Sequence, residues 1–274
     1  MIRTVLGIDL ASAKWSSVGS ATIEFDDEAN TFARVVAGAI TWPMVPVTPT
    51  AIALADAIDA FARREGVCAV ALDGPQGWRD PATPEGMRGV GRRCEYECRT
   101  QGKTGAYPRT FPGTQRKWIE FSIDVFARLL ARPGVTLAHP AAPPETNDGY
   151  VILECFPTSA WRSSGLDALP GKGRRPDLTP YWNSLRAVYG LPDAPVSTHD
   201  DLQAVVAALT AVAAAGGPAV VDTKGVAGVV VICPDGSQRR LEGYIWDVKP
   251  LANRTLRQAT ERRPSLTPPP RRSR

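Results

Sequence analysis

The sequence predicts an α/β fold in which helices flank a mixed β-sheet. Strand-like and helical segments alternate along the chain, and three of the apolar strand-like runs end in an acidic residue. The 274 residues suffice for one large domain, and the 43% hydrophobic and 22% charged fractions are close to globular averages. No apolar run approaches the roughly 18 to 20 residues of a membrane span. Because the first residues enter a strand directly, without a signal-peptide pattern, we expect a cytoplasmic location.

The first third of the chain predicts the element order β-β-β-α-β. Residues 4–9 form an apolar run, and residues 15–25 and 31–37 are further β-prone segments, which together predict a three-stranded antiparallel start. Residues 52–64 repeat apolar side chains at helical spacing. Residues 67–73 then return as an apolar strand, so we expect this strand to join the same sheet.

The middle of the chain predicts an insertion beside the strand ends, at about residues 74–149. This segment is rich in arginine and proline and contains one amphipathic stretch, residues 118–130, that predicts a helix. Residues 150–154 form another short apolar strand, followed by a helix that begins at Thr158. We therefore expect the sheet to resume after the insertion.

The last third predicts two helices, a strand and a tail. Residues 178–189 are expected to form a helix that ends at Gly190, and a long helix rich in alanine, valine and leucine extends to Ala215. Residues 226–233 are the last clear strand. Arginine and proline dominate residues 253–274, which predicts a disordered basic tail after a single domain of residues 1–252.

Acidic residues mark the ends of three predicted strands. Asp9, Asp73 and Glu154 each follow an apolar run, and ligands of open α/β sheets collect outside the carboxyl ends of the strands. Asp200 and Asp201 open the long helix, and a helix packed on the sheet brings one of them to the same place. Crowded carboxylates repel one another unless a cation offsets them, and Mg²⁺ or Mn²⁺ prefers such oxygen ligands.

A carboxylate-held metal centre is typical of enzymes that hydrolyse phosphodiester bonds. Two divalent ions activate a water and stabilise the leaving oxygen in many nucleases, and this chemistry needs no catalytic histidine. The alternative is structural, because a single acid after a strand is also a common turn former or helix cap. The recurrence of the acids after apolar strands favours the metal centre.

The motifs resemble the family catalogued as domain of unknown function 429, regarded as predicted nucleases of the RNase H-like, RuvC-related superfamily. The resemblance spans roughly residues 3–248 and implies an RNase H-like sheet with flanking helices. It also implies that the catalytic, metal-binding acids are Asp9, Asp73, Glu154 and Asp201. The matching stretches are Gly7-Ile8-Asp9-Leu10-Ala11, Ala71-Leu72-Asp73-Gly74-Pro75, Arg93-Cys94-Glu95 with Arg99, Glu154-Cys155-Phe156-Pro157, Asp200-Asp201 and Glu242-Gly243-Tyr244-Ile245-Trp246.

Basic residues in two irregular segments are candidates for contact with nucleic acid. Arg93 and Arg99 lie in the insertion among aromatic residues, and Lys172 and Arg175 lie in a loop of glycine and basic residues. Such a composition suits contacts to phosphate and to stacked bases. A solvated lid is the alternative for both segments. The basic tail accounts for much of the formal net charge of +4 and is either a nucleic-acid arm or an inert terminus.

A metal-dependent nuclease is therefore the leading hypothesis. One alternative is a binding module of the same fold that contacts nucleic acid or protein without turnover. Another is an actin-like nucleotide-binding protein, but Gly171-Lys172-Gly173 has neither the preceding strand nor the following helix of a phosphate-binding loop. The five cysteines are odd in number and widely spread, so we expect free thiols.

Overall fold

A computed structural model describes residues 1–43, 48–83, 90–142 and 149–251, and the predicted basic tail at residues 253–274 lies outside the described residues. The strands and helices of these residues follow one another along the chain as β1 (Ile2–Asp9), β2 (Gly19–Asp26), β3 (Thr31–Ala37), α1 (Ala51–Arg64), β4 (Val67–Asp73), α2 (Arg93–Glu97), β5 (Lys103–Thr104), β6 (Thr110–Phe111), α3 (Arg116–Leu130), β7 (Val135–Leu137), β8 (Tyr150–Cys155), α4 (Pro157–Ser163), α5 (Thr179–Tyr189), α6 (His199–Ala214), β9 (Val220–Ile232) and β10 (Gln238–Lys249).

One mixed sheet organises the molecule. Its strand order is β3-β2-β1-β4-β8-β10-β9. β7 pairs with the beginning of β8, and β10 pairs with the end of β8. The first three strands are antiparallel, whereas β4 runs parallel to β1, and β8 runs parallel to β4. The predicted α/β architecture, a mixed sheet with flanking helices, is confirmed, as is the β-β-β-α-β start.

Helices cover both faces of the sheet, which explains why its central strands are apolar on both sides. In β1, Val5 belongs to a core that α4, α5 and α6 close, whereas the next residue, Leu6, belongs to a core closed by α1 and α3. Burying apolar surface on both faces at roughly 25 cal/mol per Å² makes this double core the main source of stability. The carboxyl ends of β1, β4 and β8 are thereby held at one edge.

Helix α6 lies unusually close to β1 and β2. Its buried positions are mostly alanine and valine, and side chains at Gly7 and Gly19 would overlap the helix backbone at Ala204 and Asp200. Because glycine leaves no side chain between strand and helix, the first turn of α6 sits directly against the carboxyl end of β1. This contact decides which helix residues meet the acids of the sheet.

The prediction that residues 226–233 form the last strand is wrong. β9 begins earlier, at Val220, and β10 follows it in antiparallel pairing before it reaches β8 in parallel pairing. The first half of β10 carries Arg239, Arg240 and Glu242, and a register shift with positive φ at Glu242 and Gly243 interrupts its alternation. Sequence periodicity therefore gives no strand signal there, and tertiary pairing makes the strand.

The insertion is folded where it is described. Helix α3, predicted at residues 118–130 and observed at Arg116–Leu130, packs Val125, Phe126 and Leu129 into the core beneath α1. Helix α2 lies against β9 and β10, and β5 and β6 form a separate two-stranded ladder. None of the helices in the described part of the chain is both long and apolar enough to cross a membrane.

Candidate metal centre

Asp9 and Asp73 end two neighbouring parallel strands. They are register partners of β1 and β4, so their side chains leave the sheet on the same face. Burial raises the pKa of Asp9 well above its usual range, and the nearby Asp73 and Asp200 carboxylates add to the rise. Burial and the Glu154 carboxylate raise the pKa of Asp73 to about 7. A cation at this edge would relieve that repulsion.

The first turn of α6 brings two further candidate ligands, His199 and Asp200, to Asp9. Thr198 caps the helix, because its side chain accepts a hydrogen bond from the Asp201 backbone N–H at 3.0 Å. One ligand atom from each of Asp9, His199 and Asp200 lies within 4.8 Å of the others, which is a spacing that one metal ion can span. Burial would raise the pKa of Asp200, but His199 and Lys172 outweigh it and lower the pKa.

His199 is held in the tautomer that a metal ligand requires. Its Nε2 lies 3.0 Å from the backbone carbonyl of Pro170, and a carbonyl only accepts, so Nε2 carries the proton. Nδ1, the nitrogen left to coordinate a metal, faces the acids and lies 3.4 Å from Oδ1 of Asp200. Metal-binding histidines commonly fix their second nitrogen on a carbonyl in this way.

The structure brings Asp200, not Asp201, to Asp9. Asp201 turns towards β2, where Oδ1 accepts from the Ser20 N–H at 3.2 Å and Oδ2 accepts from the Thr198 hydroxyl at 2.6 Å. Adjacent helix residues point about 100° apart, so only one of the two aspartates can face the strand ends. Asp201 thus completes the helix cap.

Glu154 is separated from the other acids by strand alternation and by an arginine. It pairs in register with Leu72, whereas Asp73 pairs with Cys155, so Glu154 and Asp73 leave the sheet on opposite faces. Both Glu154 oxygens accept from the Arg92 guanidinium, at 2.8 and 2.5 Å, and Oε2 also accepts from the Gln76 N–H at 3.0 Å. Burial raises the pKa of Glu154, and Arg92 opposes the rise.

Arg92 is fully buried and joins Glu154 to Glu95. Its Nη2 lies 3.1 Å from Glu95 Oε1, and Glu95 also accepts from the backbone N–H groups of Arg92 and Thr104. The sequence places Arg92 among the basic residues of the insertion but does not predict its pairing with Glu154, because the segment has no periodicity and Arg92 lies 62 residues before Glu154. The adjacent Arg93, predicted as a substrate contact, pairs with Glu97 on the exposed side of α2.

A cleft of about 690 Å³ opens beside these acids. The insertion and residues 154–174 contribute to its walls, which include Asp73, Trp118, His199 and four arginines, Arg92, Arg99, Arg162 and Arg174. Within the described residues no carboxylate lies at ion-pair distance from Arg99 or Arg174. Of the predicted basic contacts, Arg99 lines the cleft, Lys172 contacts Asp200 at 3.1 Å, and Arg175 lies outside the cleft lining.

The raised pKa values predict how stability depends on pH when divalent ions are removed by EDTA. A carboxyl whose folded pKa exceeds its unfolded value binds more protons in the folded state, so the free energy of unfolding falls as pH rises from about 4 to about 7. We expect urea denaturation to show this fall and Asp73→Asn to flatten it. An equal slope in the variant would contradict the assignment.

Neither a protein-family model nor a curated protein matches this sequence. Among solved structures, the chain is similar to the RuvC structure of Thermus thermophilus, with 13% sequence identity and a TM-score of 0.34. The alignment covers 78% of this chain and 97% of that chain. At this sequence identity and TM-score, neither a residue role nor an activity of RuvC can be assigned to this chain.

Proposed function

We propose that this protein is a metal-dependent nuclease whose centre consists of Asp9, Asp73, Asp200 and His199. The observation that carries the proposal is the convergence of Asp9, His199 and Asp200 within 4.8 Å, with the His199 tautomer fixed by Pro170. Three carboxylates and an imidazole form a donor set that suits Mn²⁺, and the carboxylates alone suit Mg²⁺. We further propose membership in the family of domain of unknown function 429.

A divalent ion at this centre would polarise the scissile phosphate and lower the pKa of a bound water. The chain's own contribution is to hold the ligands in place. Strand register fixes Asp9 against Asp73, and the close packing of α6 fixes Asp200. Arg99 and Arg174 in the cleft offer guanidinium groups to the substrate's backbone phosphates.

A second reading of the fold is a module that binds nucleic acid without turnover. Such a module would also use the cleft arginines, but it would not require the His199 tautomer or the raised pKa values of Asp9 and Asp73. Perturbed pKa values in a cleft are typical of functional carboxylates. The geometry therefore favours the nuclease.

Replacement of His199 tests the proposal, because the chain contains a second histidine as a matched control. We expect His199→Gln to weaken Mn²⁺ binding by about 10-fold or more in isothermal titration calorimetry, since a nitrogen ligand is lost. His139→Gln should leave the affinity unchanged, because His139 lies in the loop that follows β7 and its Nδ1 accepts from the Ala141 N–H.

The same preparations are then incubated with single-stranded and double-stranded DNA and RNA in Mn²⁺ and in Mg²⁺. We expect wild-type protein to cleave at least one of these substrates. Wild-type protein that binds neither ion refutes the metal centre, and ion binding without cleavage of any substrate identifies the binding module instead.

A further inference from the structure

The loop that follows Pro170 carries a lysine into the candidate metal centre. The Lys172 ammonium donates to both oxygens of Asp200, each at 3.1 Å, although the Lys172 side chain is 56% exposed. The same ammonium lowers the pKa of Asp9, so its charge acts on two of the proposed ligands. Lys172 therefore shares its partners with the proposed ion.

A divalent cation bound by Asp200 would repel the Lys172 ammonium. A carboxylate oxygen that ligates Mg²⁺ or Mn²⁺ lies close to 2.1 Å from the ion, so an ammonium at 3.1 Å from that oxygen is repelled by a doubly charged neighbour. Removing Lys172 should thus strengthen ion binding. Removal of a metal ligand, or of a residue that only supports the fold, would instead weaken ion binding.

The geometry of the loop allows Lys172 to move away from Asp200 while Pro170 keeps its hydrogen bond to His199. Pro170 anchors the loop through its carbonyl on His199 Nε2, whereas Gly171 and Gly173 flank Lys172, with no atom near the side-chain position of either glycine. Lys172 begins a short 3-10 turn, Lys172–Arg174, and the unpacked glycine on each side leaves its exposed side chain room to move. Gly171 and Arg174, on either side of Lys172, line the cleft, so an ammonium that leaves Asp200 lies beside the space where the substrate's phosphate would bind.

We propose that Lys172 exchanges partners during the reaction: it competes with the divalent cation for Asp200 and, once the cation is bound, contacts a non-bridging oxygen of the substrate's phosphate. This inference rests on the proposed nuclease function and assigns Lys172 a substrate-binding role. Under this exchange, the protein binds its substrate at full strength only after the cation has bound.

Calorimetric titration with Mn²⁺ at constant ionic strength tests the competition. We expect Lys172→Met to bind Mn²⁺ about threefold to fivefold more tightly than wild type, a size typical of a partly exposed ion pair. Lys249→Met is the matched control, since Lys249 likewise pairs with an aspartate, Asp222, at 2.8 Å and 44% exposure. It should leave the Mn²⁺ affinity unchanged.

Fluorescence anisotropy with labelled single-stranded DNA and RNA tests the second half of the exchange. With Ca²⁺ in place of Mn²⁺, Lys172→Met should bind the oligonucleotide about threefold to fivefold more weakly than wild type. In EDTA, Lys172→Met and wild type should bind the oligonucleotide with equal affinity. In wild-type protein, Mn²⁺ should also accelerate amide hydrogen exchange at residues 171–175, a measurement that needs no variant.

The outcomes separate the two proposals. If wild type binds Mn²⁺ and cleaves nucleic acid but Lys172→Met binds Mn²⁺ no better than Lys249→Met, the exchange is refuted and the nuclease stands. Equal weakening of oligonucleotide binding in EDTA and in Ca²⁺ also refutes the exchange. If wild type binds no divalent ion, both proposals fail together.

Discussion

Arg92→Met is expected to destabilise the protein by about 3–5 kcal/mol, because it leaves two buried carboxylates without their shared cation. Glu154 is 2% exposed and Glu95 is 4% exposed, so neither can recover its lost partner from water. The loss should appear as a lower midpoint of urea denaturation with an unchanged slope. A loss of this size would identify Arg92 as the residue that ties the insertion to the end of β8.

The neighbouring arginine provides the control for this prediction. Arg93 pairs with Glu97 at 2.9 Å, but its side chain is 53% exposed, so Arg93→Met should cost less than about 1 kcal/mol. A double replacement, Arg92→Met with Glu154→Met, should be more stable than Arg92→Met alone, since apolar side chains can replace a buried ion pair at little cost. A double variant as unstable as Arg92→Met would point to lost packing instead of an unpaired charge.

Asp9→Asn is expected to reduce metal-dependent cleavage by at least about 100-fold without loss of stability. Asparagine keeps the shape of the side chain but removes a charged ligand from the proposed centre, and even residues behind the ligands are typically worth 10- to 100-fold. The fold should be as stable as wild type or more so, because the substitution removes repulsion from Asp73 and Asp200. Initial cleavage rates and thermal melting together measure both effects.

A second strand-ending aspartate serves as the control for Asp9. Asp26 ends β2 at the opposite edge of the sheet, where it binds the N-terminal ammonium at 3.2 Å, so Asp26→Asn should leave cleavage unchanged. Asp200→Asn should match Asp9→Asn, whereas Asp201→Asn should act mainly through the helix cap and lower stability. Unchanged cleavage by Asp9→Asn would remove Asp9 from the centre.

Much of the architecture was predictable because it depends on local patterns. The apolar runs of β1, β4 and β8, the helical spacing of α1 and α3, and the Gly190 end of α5 each report burial or backbone geometry within a few residues. The same patterns placed Asp9 and Asp73 at strand ends. β10 escaped prediction because its charged first half lacks any alternation of apolar residues.

The sequence by itself determined that acids end the parallel strands and open a long apolar helix. Only the tertiary structure decided which of them meet. The choice of Asp200 over Asp201 depends on the rotation of α6, which the contact of Gly7 and Gly19 with its backbone sets. The separation of Glu154 depends on sheet register and on Arg92, which approaches from an irregular segment. Periodicity reports which face of an element is buried, but not which partner it is buried against.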